Sequence, residues 1–486
     1  MHLILCHQYW VATMLIGSGV SRWTMLHFGC AVAALLAALV LLVTGYSDPL
    51  AGLIAPSTLI AVHLTTIGWL SLLMLGALYQ FVPVITNTRL YSQRLPVLGL
   101  GFIGFGLASM LLGFLAMSGV GAPLACLPVG GSLVLTGFVP GGTNIGLTLW
   151  KVRPLPLHAV FVAVSLVFLL LTAGLGLALA LVFALPNAPA FLLKLRGSGL
   201  GLHVAAGLGG WFTLTVMGVS YRLLSMFMLA PDEPRRSTYA ALFLTAGGLG
   251  VLVIGGLVQR EGGPAAAWVN WLGAAATGLG VVFYLSDIVE FYRARKRKLL
   301  ELNSSTAAVA LTVLALAVLI GFILAPLGRL GQYAAPVGYL FIFGGLTGLG
   351  LSQLYKIIPF LTWLDVFGKR MGKGPVPRVQ DLVNEARARP WFIAYFVTVV
   401  MASFVLAFGN GAQFRIAVAA QLLATALIVV ELWRARHPDP NLKPTLSRPA
   451  GSPPPFVKTP KTPAPAAVVP SGTPAAVSES PSTQGE

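Results

Sequence analysis

The sequence predicts an all-α polytopic membrane protein, with twelve transmembrane helices in three pseudo-symmetric four-helix repeats. Three observations carry that expectation. The 486-residue chain is 57% hydrophobic and only 9% charged, with a mean hydropathy of +0.85, whereas soluble domains carry about 25% charged residues. Apolar runs long enough to cross a bilayer, about 20 residues each, recur along the chain. One segment is also written three times, within residues 63–83, 203–226 and 336–359. In a single gapless register Gly68-Trp69 matches Gly210-Trp211 and Gly344-Gly345, and Gly76 matches Gly218 and Ser352. Tyr79 matches Tyr221 and Tyr355, and Pro83 matches Ser225 and Pro359. A second signature follows each copy: Leu149-Trp150-Lys151-Val152-Arg153, Phe291-Tyr292-Arg293-Ala294-Arg295 and Leu432-Trp433-Arg434-Ala435-Arg436. The period is roughly 140 residues, far beyond a solenoid unit.

The elements follow in order. Residues 1–23 are a mixed lead without a cleavage pattern, read as cytoplasmic. The first repeat, 24–153, holds spans at 24–45, 57–83, 95–118 and 122–150. The second, 154–298, holds 156–185, 199–228, 237–258 and 265–292. The third, 299–436, holds 306–326, 334–360, 391–409 and 414–433. The long connection 361–390 reads as a short interfacial helix, with Trp363 and Phe367 at the lipid surface. The tail 437–486 is rich in Pro, Ser, Thr and Ala and reads as disordered. Cys6, Cys30 and Cys126 make neither a disulfide framework nor a four-cysteine metal site.

The net charge of +17 does not point to nucleic acid, because its placement is one-sided. With twelve spans, 26 of the 31 Lys and Arg fall on the side of the termini. Lys194, Arg196, Arg260, Arg329 and Arg415 fall on the other. This is the positive-inside bias. It places both termini in the cytoplasm and the chain in the inner (cytoplasmic) membrane, with the lipid bilayer as its first partner.

Polar groups at depth in a membrane are costly, and so informative. No Asp, Glu, Lys or Arg lies in the middle third of any span, which argues against an ion-coupled carrier. Asp287, Glu290 and Glu431 lie near the cytoplasmic ends of spans eight and twelve and are expected to pair with the adjacent Arg clusters. His27 and His158 start spans one and five and read as interfacial, with water or headgroup partners; His2, His7 and His437 read as solvent residues. His63 and His203 differ. Each lies one to two turns inside the outer end of its span, about 10 Å deep for His63. Neutral imidazole is a common ligand of haem iron and copper, and Ala206, Gly207, Gly209 and Gly210 leave room for a flat macrocycle or a close helix. The alternative is two structural histidines that hydrogen-bond neighbouring helices.

Twelve spans in three four-helix arcs, with histidines in the outer parts of spans two and six, resemble subunit I of the haem-copper oxidases. The cbb3-type oxidases, nitric oxide reductases and NnrS-like proteins belong to that group. The topological likeness covers nearly all of 24–436, while the residue-level likeness is much weaker: the stretch His203–Arg222 resembles the oxidase-like and NnrS-like patterns, and no gapless family motif is complete. The resemblance implies that His63 is an axial haem ligand and His203 a copper ligand. It also implies a His-His pair in span seven, which reads STYAALFLTAGGLGVLVIGGL and has none. A His-x-His in span ten would fall at Val337 and Tyr339. Valine cannot bind a metal through its side chain. Tyr339 could complete a haem as phenolate, or be an ordinary aromatic.

A binuclear oxygen-reducing centre is therefore not expected. The first functional expectation is a haem-binding, copper-capable, oxidase-like membrane protein in respiratory electron transfer or NO and O₂ response, with respiratory-chain subunits or a cytochrome as partners. If it is an enzyme at all, it is an oxidoreductase. The alternatives are a cofactor-free scaffold or assembly partner of respiratory enzymes, and a small-solute or metal transporter. A copper carrier using Met217, Met226, Met228 and His203 is disfavoured by the spread of those residues along the span.

Overall fold

The computed structural model describes residues 18–185, 187–258, 264–371, 375–439 and 442. The first part of the lead and nearly all of the tail, with the expectations attached to them, lie outside the described residues. The structure is all-helical, and twelve helices are long and apolar enough to cross a membrane. They are α1 (Ser18–Thr44), α2 (Pro56–Thr86), α3 (Leu95–Met117), α4 (Cys126–Trp150), α5 (Leu157–Ala184) and α6 (Leu195–Met228). Then come α7 (Arg236–Val258), α8 (Pro264–Arg293), α9 (Leu302–Leu324), α10 (Ala334–Val366), α11 (Glu385–Phe408) and α12 (Gly411–Arg436). All twelve expected spans are present to within a few residues.

Local chemistry starts and stops these helices. Pro56 opens α2 at a position where its missing N–H costs nothing. Asn410 and Gln413 cap α12 reciprocally, and the Asn384 side chain accepts from Arg387 N at the start of α11. α2 and α6 stop alike. Asn87 (φ 49°) and Leu229 (φ 54°) turn left-handed, while Thr88 N and Ala230 N bond back to the carbonyls of Pro83 and Ser225.

Within the bundle, α1 packs on α2, α5 on α6 and α9 on α10; α3 pairs with α4, α7 with α8 and α11 with α12. Next, α4 lies against α5, α8 against α9, and α12 against α1. Some of these pairs approach to backbone contact. A Cβ on Gly113 of α3 would sit 2.6 Å from Leu127 Cα of α4, and one on Gly248 of α7 would sit 2.6 Å from the Gly273 carbonyl of α8. Glycine is used there because in lipid the packing itself, not water exclusion, holds helices together.

α2, α6 and α10 form the centre. In each, 61% of the apolar window is buried, against 44% or less in the other nine. Each also widens into a π-helical segment: Leu64–Ser71, Ala205–Thr213 and Leu340–Thr347. Such insertions in an α-helix are rare and shift the register of everything beyond them. Two indoles tie these segments together. Trp69 Nε1 donates to Thr347 Oγ1 (3.0 Å), joining α2 to α10, and Trp211 Nε1 donates to Ser71 Oγ (3.1 Å), joining α6 to α2.

The connection between α10 and α11 corrects one expectation. It is not an interfacial helix with aromatic side chains on lipid. Trp363 and Phe367 are buried against Leu382 in a small core of their own, and Trp363 Nε1 donates to the Pro377 carbonyl (2.6 Å). Gln380 of the loop donates to Glu301 (3.2 Å), just before α9, whose carboxylate also pairs with Lys356 of α10 and with Arg297.

Candidate functional site

The helices place His63 and His203 at the same end of the bundle, opposite the basic loops. Each sits directly before its π segment: His63 ends the first α part of α2, and His203 is one residue short of the corresponding junction in α6. His63 Nδ1 bonds the Leu59 carbonyl (2.8 Å), and its ring lies against Phe114 of α3, centroids 4.9 Å apart. His203 Nδ1 reaches across to the Thr172 carbonyl of α5 (3.0 Å). Its ring fills the space left by Gly176, where a Cβ would meet Cε1 at 3.0 Å.

A carbonyl oxygen only accepts, so in both rings Nδ1 carries the proton and Nε2 keeps its lone pair. Neither Nε2 makes a hydrogen bond among the described residues. The two imidazoles are also within electrostatic reach of each other. A backbone carbonyl on Nδ1 fixes the tautomer and leaves Nε2 as the nitrogen able to bind a metal, a pattern His27 shares through the Trp23 carbonyl. The donor chemistry of the two imidazoles fits a haem iron or a low-coordinate copper ion. Among the described residues, no three His, Cys, Asp or Glu side chains gather into a set that could hold a metal.

Tyr339 is placed elsewhere. Its hydroxyl donates to Gln421 Oε1 of α12 (2.5 Å), and its ring packs on Phe343 and Phe414 at 4.5 and 5.7 Å. No hydrogen bond or ring contact joins it to His63 among the described residues. Of the methionines weighed for a copper path, Met217 and Met228 are buried and Met226 is exposed.

A second polar site lies at the basic end of α5, α6, α7 and α8. It is a small cleft lined by His158, Tyr221, Arg222, Asp232, Thr238 and Asp287, among others. Asp287 was expected to pair with an Arg cluster. Instead this buried carboxylate accepts from three hydroxyls: Tyr221 (2.9 Å), Ser237 (2.5 Å) and Thr238 (3.0 Å). The cations are engaged by other acids, Arg222 by Asp232 and Arg235 by Glu290 (3.6 Å). Glu431 does pair as expected, accepting from Arg387 at 2.7 Å through each oxygen and from Arg434 at 2.7 Å. His158 lines the cleft with its Nε2 buried and unpartnered.

His27 departs from its interfacial reading. It is 1% exposed, with Nδ1 on the Trp23 carbonyl (2.8 Å) and its ring edge-on to Tyr79, centroids 5.3 Å apart. The Tyr79, Tyr221 and Tyr355 match carried a signal that the sequence reading did not use. Tyr221 holds Asp287, and Tyr355 lies within electrostatic reach of Glu431 and Glu385.

No protein-family model matches the chain, and no curated protein matches it.

Proposed function

We propose that this chain is an integral membrane protein of haem-copper oxidase-like architecture that binds haem, or copper in its place, at His63 and His203. On this reading it serves respiratory electron transfer or a response to NO or O₂ and does not reduce oxygen. The observation that carries the proposal is the His63–His203 pair: two imidazoles from different helices, each with Nδ1 bound to a carbonyl and Nε2 left with its lone pair. A haem bound there supplies one-electron exchange and a site for a diatomic gas. The chain's part is to hold both rings in one tautomer, to orient them through Leu59 and Thr172, and to keep the site dry with Phe114 and the apolar helices around it. The Tyr339 hydroxyl donates to Gln421 here, so the proposal rests on His63 and His203 alone.

Three four-helix repeats are part of the same proposal. They are supported by the gapless sequence register, by π segments that end at the matched residues Ser71, Thr213 and Thr347, and by the recurrence of each helix pairing at intervals of four helices. The one-sided basic loops support cytoplasmic termini in an inner membrane.

The test is a reduced-minus-oxidised visible spectrum with metal analysis on the detergent-purified chain, beside His63→Ala and His203→Ala. A haem band that is lost or shifted in either variant supports the proposal. A colourless, metal-free protein after expression with added haem refutes it. The scaffold reading then takes its place, which the engagement of the Tyr339 hydroxyl by Gln421 favours.

A further inference from the structure

Between Asp48 and Asp232 the chain contains no Asp or Glu. The basic-end corner built by the α2–α3 loop and the end of α4 therefore has no acid of its own. It carries Arg89, Arg94, Lys151 and Arg153, all exposed. None of the four makes an ion pair among the described residues. Elsewhere at this end acids neutralise Arg222, Arg235, Arg387, Arg434 and Arg436.

The uncompensated corner is nevertheless rigidly built. Tyr91 N donates to Thr148 Oγ1 (3.0 Å) and Ser92 N to Asn144 Oδ1 (2.8 Å), while Asn144 Nδ2 donates back to the Ser92 carbonyl (2.9 Å). Asn144 and Thr148 are fully buried, so the loop is clamped to α4. The clamp aims the cations. Lys151 Nζ sits 5.2 Å from the centre of the Tyr91 ring, and the Arg153 guanidinium 4.6 Å from that of Trp150. Trp150 is 71% exposed, with Leu147 outward one turn earlier on α4 and Leu98 outward on α3. Fixed cations over exposed aromatics, above an apolar wall, match a molecule with an anionic head and hydrocarbon chains.

We propose that this corner is a binding site for the phosphate headgroup of an anionic phospholipid, with Lys151 and Arg153 as its principal contacts. Free phosphate shares the charge but gains nothing from Trp150, Leu147 and Leu98, so the lipid is the favoured source. The proposal is independent of the haem site.

The experiment is native mass spectrometry of the detergent-purified full chain, titrated with phosphatidylglycerol, phosphatidylcholine or inorganic phosphate. Lys151→Gln/Arg153→Gln should weaken phosphatidylglycerol binding about thirtyfold, from two headgroup cations lost. The charge-matched Lys194→Gln/Arg196→Gln, at the opposite end, should leave it unchanged, as should the charge-keeping Lys151→Arg/Arg153→Lys. Equal binding of the two lipids, or equal loss in both Gln variants, overturns the site. Displacement of phosphatidylglycerol by inorganic phosphate at comparable concentration overturns the lipid as ligand in favour of a soluble anion.

Discussion

The tie between α2 and α10 offers the sharpest test of the bundle's centre. Trp69 and Thr347 are 278 positions apart, each 0% exposed, and share one hydrogen bond of 3.0 Å. Thr347→Val keeps the volume but strands the indole N–H, which should cost about 1–3 kcal/mol. Trp69→Phe removes the donor and leaves a space, for a loss of about 2–4 kcal/mol. The pair should not add. In membrane interiors, hydrogen-bond coupling averages about 0.6 kcal/mol and reaches about 1.7, and this fully buried, well-directed bond belongs in the upper half. The assay is a double-mutant cycle on unfolding in mixed micelles, followed by circular dichroism, with Trp211→Phe and Ser71→Ala as a second cycle. Additivity within about 0.3 kcal/mol in both cycles, the behaviour of independent sites, would refute the claim that these bonds couple the central helices.

Other predictions follow from single sites. Gly113→Ala should destabilise, because the new Cβ would sit 2.6 Å from the Leu127 backbone, whereas Gly142→Ala meets nothing within 4 Å and should change stability by less than about 1 kcal/mol; thermal melts in detergent separate the two. Leu229→Gly should stabilise by about 1 kcal/mol, since Leu229 is half exposed and held at φ 54°; no gain in Tm would mean the left-handed end is unstrained. Burial opposes the charge of Glu301, but Lys356, Gln380 and Arg297 together hold its carboxyl below the ordinary glutamate range. A carboxyl with a depressed folded pKa adds stability above its unfolded pKa of about 4.3 and loses it as pH falls through the folded value. Glu301→Gln should therefore lower Tm at pH 7, with the gap to wild type closing below about pH 4. Tyr221→Phe should destabilise by about 1–3 kcal/mol through the lost donor to buried Asp287; a Tm equal to wild type would show that Ser237 and Thr238 suffice.

Much of the fold was legible because membrane helices obey a length and composition rule that single residues cannot override. The candidate site was legible only as a list. His63 and His203 stand out as polar residues in apolar spans, but nothing in their sequence neighbourhoods says that Leu59 and Thr172 fix their tautomers. Tyr339 entered by alignment alone, and only the packing of α10 on α12 gave its hydroxyl to Gln421. Asp287 was assigned to nearby Arg residues because charge proximity along the chain is easy to see. The three hydroxyls that hold it come from α6 and the start of α7, 49 to 66 positions away.

The sequence by itself determined twelve apolar helices, their order and the sidedness of their basic loops, because each depends on local composition and on the cost of moving charge into lipid. It also marked the three matched segments of α2, α6 and α10. Only the tertiary structure decided that these segments widen into π-helices and become the centre, bound through Trp69 to Thr347 and Trp211 to Ser71. It alone buried His27, Trp363 and Phe367, which composition placed at an interface. The physical reason is that hydrogen bonds and close glycine contacts in a bilayer are made between distant segments. Their partners are fixed by how whole helices pack, and no local pattern encodes that choice.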